Sequence, residues 1–345
     1  MESGREAATR SQRPTGGRGR RARHVLVRLG ARLVASLPER PLIPLADLAG
    51  EAWYRAAPRR AAQARLNLGR VCRWLAAQET GSEATRAAAD DPAALERLVR
   101  SAFRHAARYY LEVARTPLMS GEYLRRRLVM ETPEVVGGAF EPDRAVIFVG
   151  LHFGAIELPA LYLVERSGRT ATAPMETIDD PLLQSWFRRT RGSVGIRIVG
   201  LTEARRELTG ALRRGESVGL VGDRDLTGGG VDVLLFGAPA PLPAGPGLLA
   251  IEAGVPVYVA AVRRTAVPGH YLGRAELVAV PAEGSRRERL TAFLQAEAAA
   301  FERAVAAAPD QWWAIFFPIW PDLVAAGGGS ALAAGATPTA ARDQA

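Results

Sequence analysis

Between residues 145 and 308 short apolar runs alternate with longer segments of helical periodicity, and this alternation constrains the fold more than anything else in the chain. The runs at 145–149, 170–174, 196–199, 217–221, 231–235, 255–262 and 271–280 are rich in β-branched residues and bounded by glycine, proline or charge. They predict strands. Segments 158–164, 181–190, 202–214, 247–253 and 286–308 read as helices. A chain built this way predicts an α/β fold, a mixed central sheet of about seven strands with helices on both faces. Upstream, 25–37, 45–75 and 93–113 carry helical patterns, giving an N-terminal helical layer (24–130) ahead of the α/β core (131–322). Residues 1–23 are a basic arm of arginine, glycine and serine, and 323–345 a glycine- and alanine-rich tail; both compositions predict disorder.

The residues able to do chemistry sit at strand ends. His152 and Glu157 follow the run at 145–149, across the break at Gly150 and just before a helix with Pro159 in its first turn. In a continuous helix five residues would turn the two side chains apart, but at a strand-to-helix junction they can converge. A carboxylate there can orient an imidazole through Nδ1–H and stabilise its protonated form. A second cluster, Asp223-Arg224-Asp225, follows the run at 217–221 on a glycine-rich turn ending at Gly230. It reads either as a charged loop with an internal ion pair, or as an acid beside the histidine with an arginine where negative charge gathers. The proline-rich stretch 236–247 predicts irregular structure leading to a helix N-terminus that can receive a phosphate.

Composition removes whole classes. All 45 basic residues are arginine, so lysine-dependent phosphate loops, kinase sites and Schiff bases are excluded. One cysteine, Cys72, leaves no disulfide, and the four histidines offer no helical metal pair. No G-x-S-x-G elbow occurs. Nucleic-acid binding is not expected, because the arm lacks interleaved aromatics. The arm and the amphipathic pattern at 25–37, with Arg28 and Arg32 opposite a leucine stripe, predict attraction to a membrane surface with anionic lipids. No run is long enough for a membrane span. The segment 309–322 holds five aromatics; it reads as a plug closing the core, or as part of an apolar groove.

Taken in order, His152-x4-Glu157, Asp223-Arg224-Asp225-Leu226-Thr227 and the block from Phe236-Gly237 to Pro246 resemble the bacterial lipid A late acyltransferase family over 25–322. The resemblance is nearest to the actinobacterial phosphatidylinositol mannoside acyltransferase branch. It implies a glycerolipid-acyltransferase-like fold and transfer of a fatty acyl chain from acyl-CoA or acyl-carrier protein to a hydroxyl of a membrane glycolipid or phospholipid. It also implies no metal or resident cofactor, and a peripheral or monotopic place on the cytoplasmic face of the cell membrane. His152 is then the general base, with Glu157 and Asp223 as acidic partners. Glu176, Arg188, Arg191, Arg224, Asp225 and Thr227 are expected at the substrate. Two departures stand out. The mannoside branch tends to carry glutamate at the position of Asp223, and the Arg-Pro-Asn stretch of lipid A members is absent near Met175-Glu176-Thr177, which counts against a lipid A acceptor. An imidazole titrates near 6.5, suited to taking a hydroxyl proton at neutral pH. Arg224 or backbone N–H groups after Gly150 are the donors available to an oxyanion. A hydrolase using the same histidine, and a lipid-binding protein without turnover, are the alternatives.

Overall fold

The computed structural model describes residues 30, 33–34, 36–140, 144–178, 180–226 and 228–324. The expected arm at 1–23, most of the 25–37 helix and nearly all of the tail lie outside the described residues, as does Thr227.

From Glu39 onward the described residues run through α1 (Glu39–Ala56), α2 (Pro58–Ala77), α3 (Glu83–Ala87) and α4 (Pro92–Arg115). Proline at the first helical position of α2 and α4 uses a slot whose N–H has no helical partner. Asp91 caps α4 by accepting from the Ala93 N–H at 2.8 Å. Then follow α5 (Gly121–Arg127), β1 (Leu128–Met130), α6 (Pro133–Ala139), β2 (Ile147–Gly150), α7 (Glu157–Ser167), β3 (Ala171–Met175), α8 (Pro181–Gly192), β4 (Ile196–Gly200), α9 (Ala204–Arg213) and β5 (Val218–Val221). The chain continues through β6 (Val231–Leu235), β7 (Ala238–Leu242), α10 (Gly245–Ala253), β8 (Val257–Arg264), β9 (Tyr271–Val278) and α11 (Arg286–Ala306).

The expected α/β architecture is present, with a seven-stranded mixed sheet in the order β1-β9-β8-β2-β5-β3-β4. Neighbours are parallel except β8 and β9. Strand alternation sends Ile147, Val149, Val257 and Val259 into the main core with Phe293 and Phe301 of α11. Val146 and Tyr258 point the other way, into a smaller cluster with Ala139 of α6. Helices therefore cover both faces.

Two expectations change. The run at 231–235 does not join the sheet. It pairs antiparallel with 238–242, the stretch expected to be irregular, and the sheet reaches seven strands through β1 instead. Pro239 and Pro241 are tolerated in β7 because residues two apart direct their missing N–H to the same side, here away from β6. Phe236 (φ 48°) and Gly237 (φ 73°) form the two-residue turn, where positive φ at both positions matches the twist of the strands.

Candidate active site

Strands β2 and β5 are parallel neighbours in the middle of the sheet, and their register sets Gly150 opposite Val221. Both chains leave the sheet at the same height, the Gly222 N–H donating to the Gly150 carbonyl at 3.0 Å. Two residues beyond the last pair, His152 and Asp223 face each other. His152 Nδ1 lies 2.6 Å from Asp223 Oδ1, and Asp223 Oδ2 accepts from the His152 N–H (2.9 Å) and the Trp312 indole Nε1–H (2.7 Å). Asp223 is 1% exposed. Burial opposes its ionisation, yet the His152 charge and these hydrogen bonds hold the carboxyl below its ordinary range. An ionised Asp223 makes Nδ1 the protonated nitrogen and leaves Nε2 to accept a proton.

The loop carrying His152 is fixed along its length. Trp313 N–H donates to the His152 carbonyl, Gly154 N–H to the Gln311 carbonyl, and Ala155 N–H to the Val262 carbonyl, each at 2.9 Å. Gly154 has φ 51°, and a Cβ there would lie 2.0 Å from the Val262 oxygen, so only glycine fits. Arg264, at the end of β8, donates to the Gly154 carbonyl at 2.9 Å while making two 2.7 Å bonds to Glu112 of α4. The Gln311 side chain holds the Arg264 backbone at both N–H and carbonyl. The N–H groups of His152 to Ala155 are thus all engaged within the protein.

The expected convergence of Glu157 on His152 does not occur. Glu157 starts α7 as a buried carboxylate gripped by Arg191 of α8, Nη2 to Oε1 at 2.6 Å and Nε to Oε2 at 3.1 Å. Arg191 thus anchors a cavity wall and has no free charge for a phosphate. Asp225 accepts from the Gly228 and Gly230 N–H groups at 3.1 and 2.8 Å and shapes the loop rather than facing the cavity. Arg188 is exposed and absent from the cavity lining, whereas Glu176 and Arg224 stand at the rim. Burial pulls the Arg224 pKa down, an effect the nearby Asp223 and Glu176 carboxylates offset in part. Burial pushes the Cys72 thiol up to about 12, so it is no nucleophile.

His152 heads a cavity of about 480 Å³, within the range of small-molecule sites. Its wall is largely apolar, with Tyr109, Ile156, Leu163, Ile196, Ile198 and Leu220 among the lining residues. The aromatic segment divides between its two expected roles. Trp312 and Trp320 are fully buried in the core, while Trp313 lines the cavity with its ring edge-on to His152 (centroids 4.4 Å apart, 76°) and stacked on Tyr109. Sequence reasoning missed Trp312 as a ligand of Asp223; an aromatic-rich segment signals burial but not which carboxylate its N–H meets.

Behind Asp223, Glu297 of α11 is fully buried, and neither carboxyl oxygen has a hydrogen-bond partner among the described residues. Burial and then the Asp223 charge push its pKa well above 4.5. A folded-state pKa raised above the unfolded one means that stability present below about 4.5 is lost as pH climbs toward the folded value. Glu297→Gln is therefore expected to melt higher than wild type above about pH 7 and to match it near pH 4.5. Parallel melting-temperature curves across pH would contradict this.

Residues 19–317 match the bacterial lipid A biosynthesis acyltransferase family. The chain belongs to that family. Among characterised proteins it is similar to the phosphatidylinositol mannoside acyltransferases of two Mycobacterium tuberculosis strains, 32% identical over 219 residues. The match takes in 59% of this chain and 65% of those relatives. The Mycolicibacterium smegmatis protein of the same name is 30% identical over 165 residues, 47% of this chain and 54% of the relative. The chain thus spans somewhat under two thirds of the length of the relatives it matches.

Proposed function

We propose that this family member moves a fatty acyl chain from an acyl thioester to a hydroxyl of a membrane glycolipid of the phosphatidylinositol mannoside kind. The observation that carries the reading is a His152–Asp223 pair, its carboxylate buried, at the head of a largely apolar cavity. His152 Nε2 takes the proton of the acceptor hydroxyl as its oxygen attacks the thioester carbonyl. The attack gives a tetrahedral adduct with negative charge on the former carbonyl oxygen. Collapse expels the thiolate, which recovers the proton from the imidazolium. The acyl chain lies against the cavity wall, where each buried CH₂ contributes about 0.8 kcal/mol. With Cys72 buried as a neutral thiol, attack is direct and forms no acyl-enzyme.

The donor is acyl-CoA or acyl-carrier protein, and the work is done peripherally at the cytoplasmic face of the membrane. Among the described residues no helix is long and apolar enough to cross a bilayer. Leu45 and Leu48 on α1 are 60% and 65% exposed, and Leu33 just upstream is 60% exposed. Such leucines suit insertion into a lipid interface. The relatives' names and the missing Arg-Pro-Asn stretch favour a mannoside acceptor over lipid A.

The test is product analysis of the purified protein with palmitoyl-CoA, with and without a phosphatidylinositol mannoside in mixed micelles. Thiol release that requires the acceptor, with a matching acylated lipid by mass spectrometry, is expected. Free fatty acid formed at the same rate without acceptor would make the protein a hydrolase.

A further inference from the structure

Arg60, Arg224 and Phe317, far apart in sequence, meet at the rim beside Asp223. The guanidinium carbon of Arg224 lies 3.7 Å and that of Arg60 5.3 Å from the centroid of the Phe317 ring, and Arg60 also lies 5.9 Å from the Trp53 ring. An arginine supported on an aromatic face keeps its charge and its N–H donors for another partner. Neighbouring arginines of the helical layer have such partners in carboxylates: Arg55 and Arg100 on Glu51, Arg65 on Glu96, Arg70 on Asp322. Arg60 and Arg224 form no ion pair among the described residues; the Asp223 and Glu176 carboxylates lie near Arg224, and the Arg60 charge opposes it. An anion that reaches both guanidinium groups therefore draws on two cations at once.

We propose that Arg60 and Arg224 form a subsite for a phosphate group carried by one of the substrates, using the planar forks that suit phosphate oxygens. Arg224 lines the same cavity as His152, so a phosphate bound here sits at the mouth and leaves the interior to the acyl chain. The identity of the ligand rests on the acyl-transfer reading; the anion site itself does not. Two sources carry the chemistry: the phosphates of the donor's coenzyme or phosphopantetheine arm, and the phosphodiester of the acceptor lipid.

The test uses Arg60→Gln and Arg60→Lys in the full chain, since Arg60 lines neither the cavity nor the His152–Asp223 pair. Steady-state kinetics compare palmitoyl-CoA with palmitoyl-N-acetylcysteamine, and a phosphodiester-bearing mannoside acceptor with its phosphate-free glycoside. Arg60→Gln is expected to raise KM for one phosphate-bearing substrate about tenfold, with kcat and the phosphate-free partner unchanged and Arg60→Lys partly restored. An effect confined to palmitoyl-CoA assigns the site to the donor, and one confined to the phosphodiester lipid assigns it to the acceptor. Equal effects on phosphate-free substrates, or none on any, overturn the proposal. Calorimetric titration of CoA and of glycerophosphoinositol into wild type and Arg60→Gln gives a readout without turnover. Loss of binding in the variant supports the subsite even if no thioester is turned over, and failure of wild type to bind either probe overturns it.

Discussion

Asp223→Asn is expected to lower kcat by about 10³–10⁴-fold with little change in melting temperature. The size follows from who donates to Asp223. The oxygen at Oδ2 receives two N–H groups, from the His152 backbone and from Trp312. In asparagine the amide oxygen must keep that place, which turns the NH₂ toward His152 Nδ1. The imidazole then has to accept at Nδ1 and carry its proton on Nε2, where it cannot serve as a base. Glu157→Gln should behave differently, because Glu157 holds Arg191 and not the imidazole; it weakens a cavity wall while leaving the base intact. Turnover of the two purified variants checks the ordering. A Glu157→Gln protein more damaged in kcat than Asp223→Asn would reverse the assignment of the acidic partner.

The second large effect concerns the support beneath the loop. Arg264→Met leaves Glu112 as an uncompensated buried charge, a change that costs about 3–5 kcal/mol. Adding Glu112→Leu removes that charge, and most of the stability should return. Turnover should not return with it, because the Gly154 carbonyl still lacks the guanidinium that fixes the turn two residues after His152. Denaturant unfolding and kcat, measured on the same preparations, separate the two quantities. Recovery of kcat in parallel with stability would show that the pair supports the fold alone.

Much of this arrangement is legible in the sequence. Strands and helices declare themselves through period and punctuation, and both His152 and Asp223 stand just past apolar runs, where an α/β sheet places its chemistry. What a linear reading cannot supply is strand order. The five-residue spacing of His152 and Glu157 suggests a local pair, but β5 lies beside β2 and in register with it, so the carboxylate that reaches the imidazole comes from 71 positions away. Glu157, turned into the start of α7, then meets an arginine 34 residues downstream. The β6–β7 hairpin was obscured by prolines whose harmlessness depends on which side of the strand their nitrogens face. β1 is too short to announce itself and joins the edge of the sheet by pairing with β9. The double tryptophan signals burial, yet only the structure divides it into a core residue bound to Asp223 and a cavity residue set against His152.

The central claim is that His152 is the base for acyl transfer to a lipid hydroxyl. It is tested most directly by comparing wild type and His152→Ala, both shown folded by melting temperature, for acylated glycolipid formed from palmitoyl-CoA and a phosphatidylinositol mannoside. The wild type should yield the acylated lipid and one free thiol per product, and His152→Ala should lose at least about 10³-fold of that rate. Equal product formation by the two proteins would contradict the account.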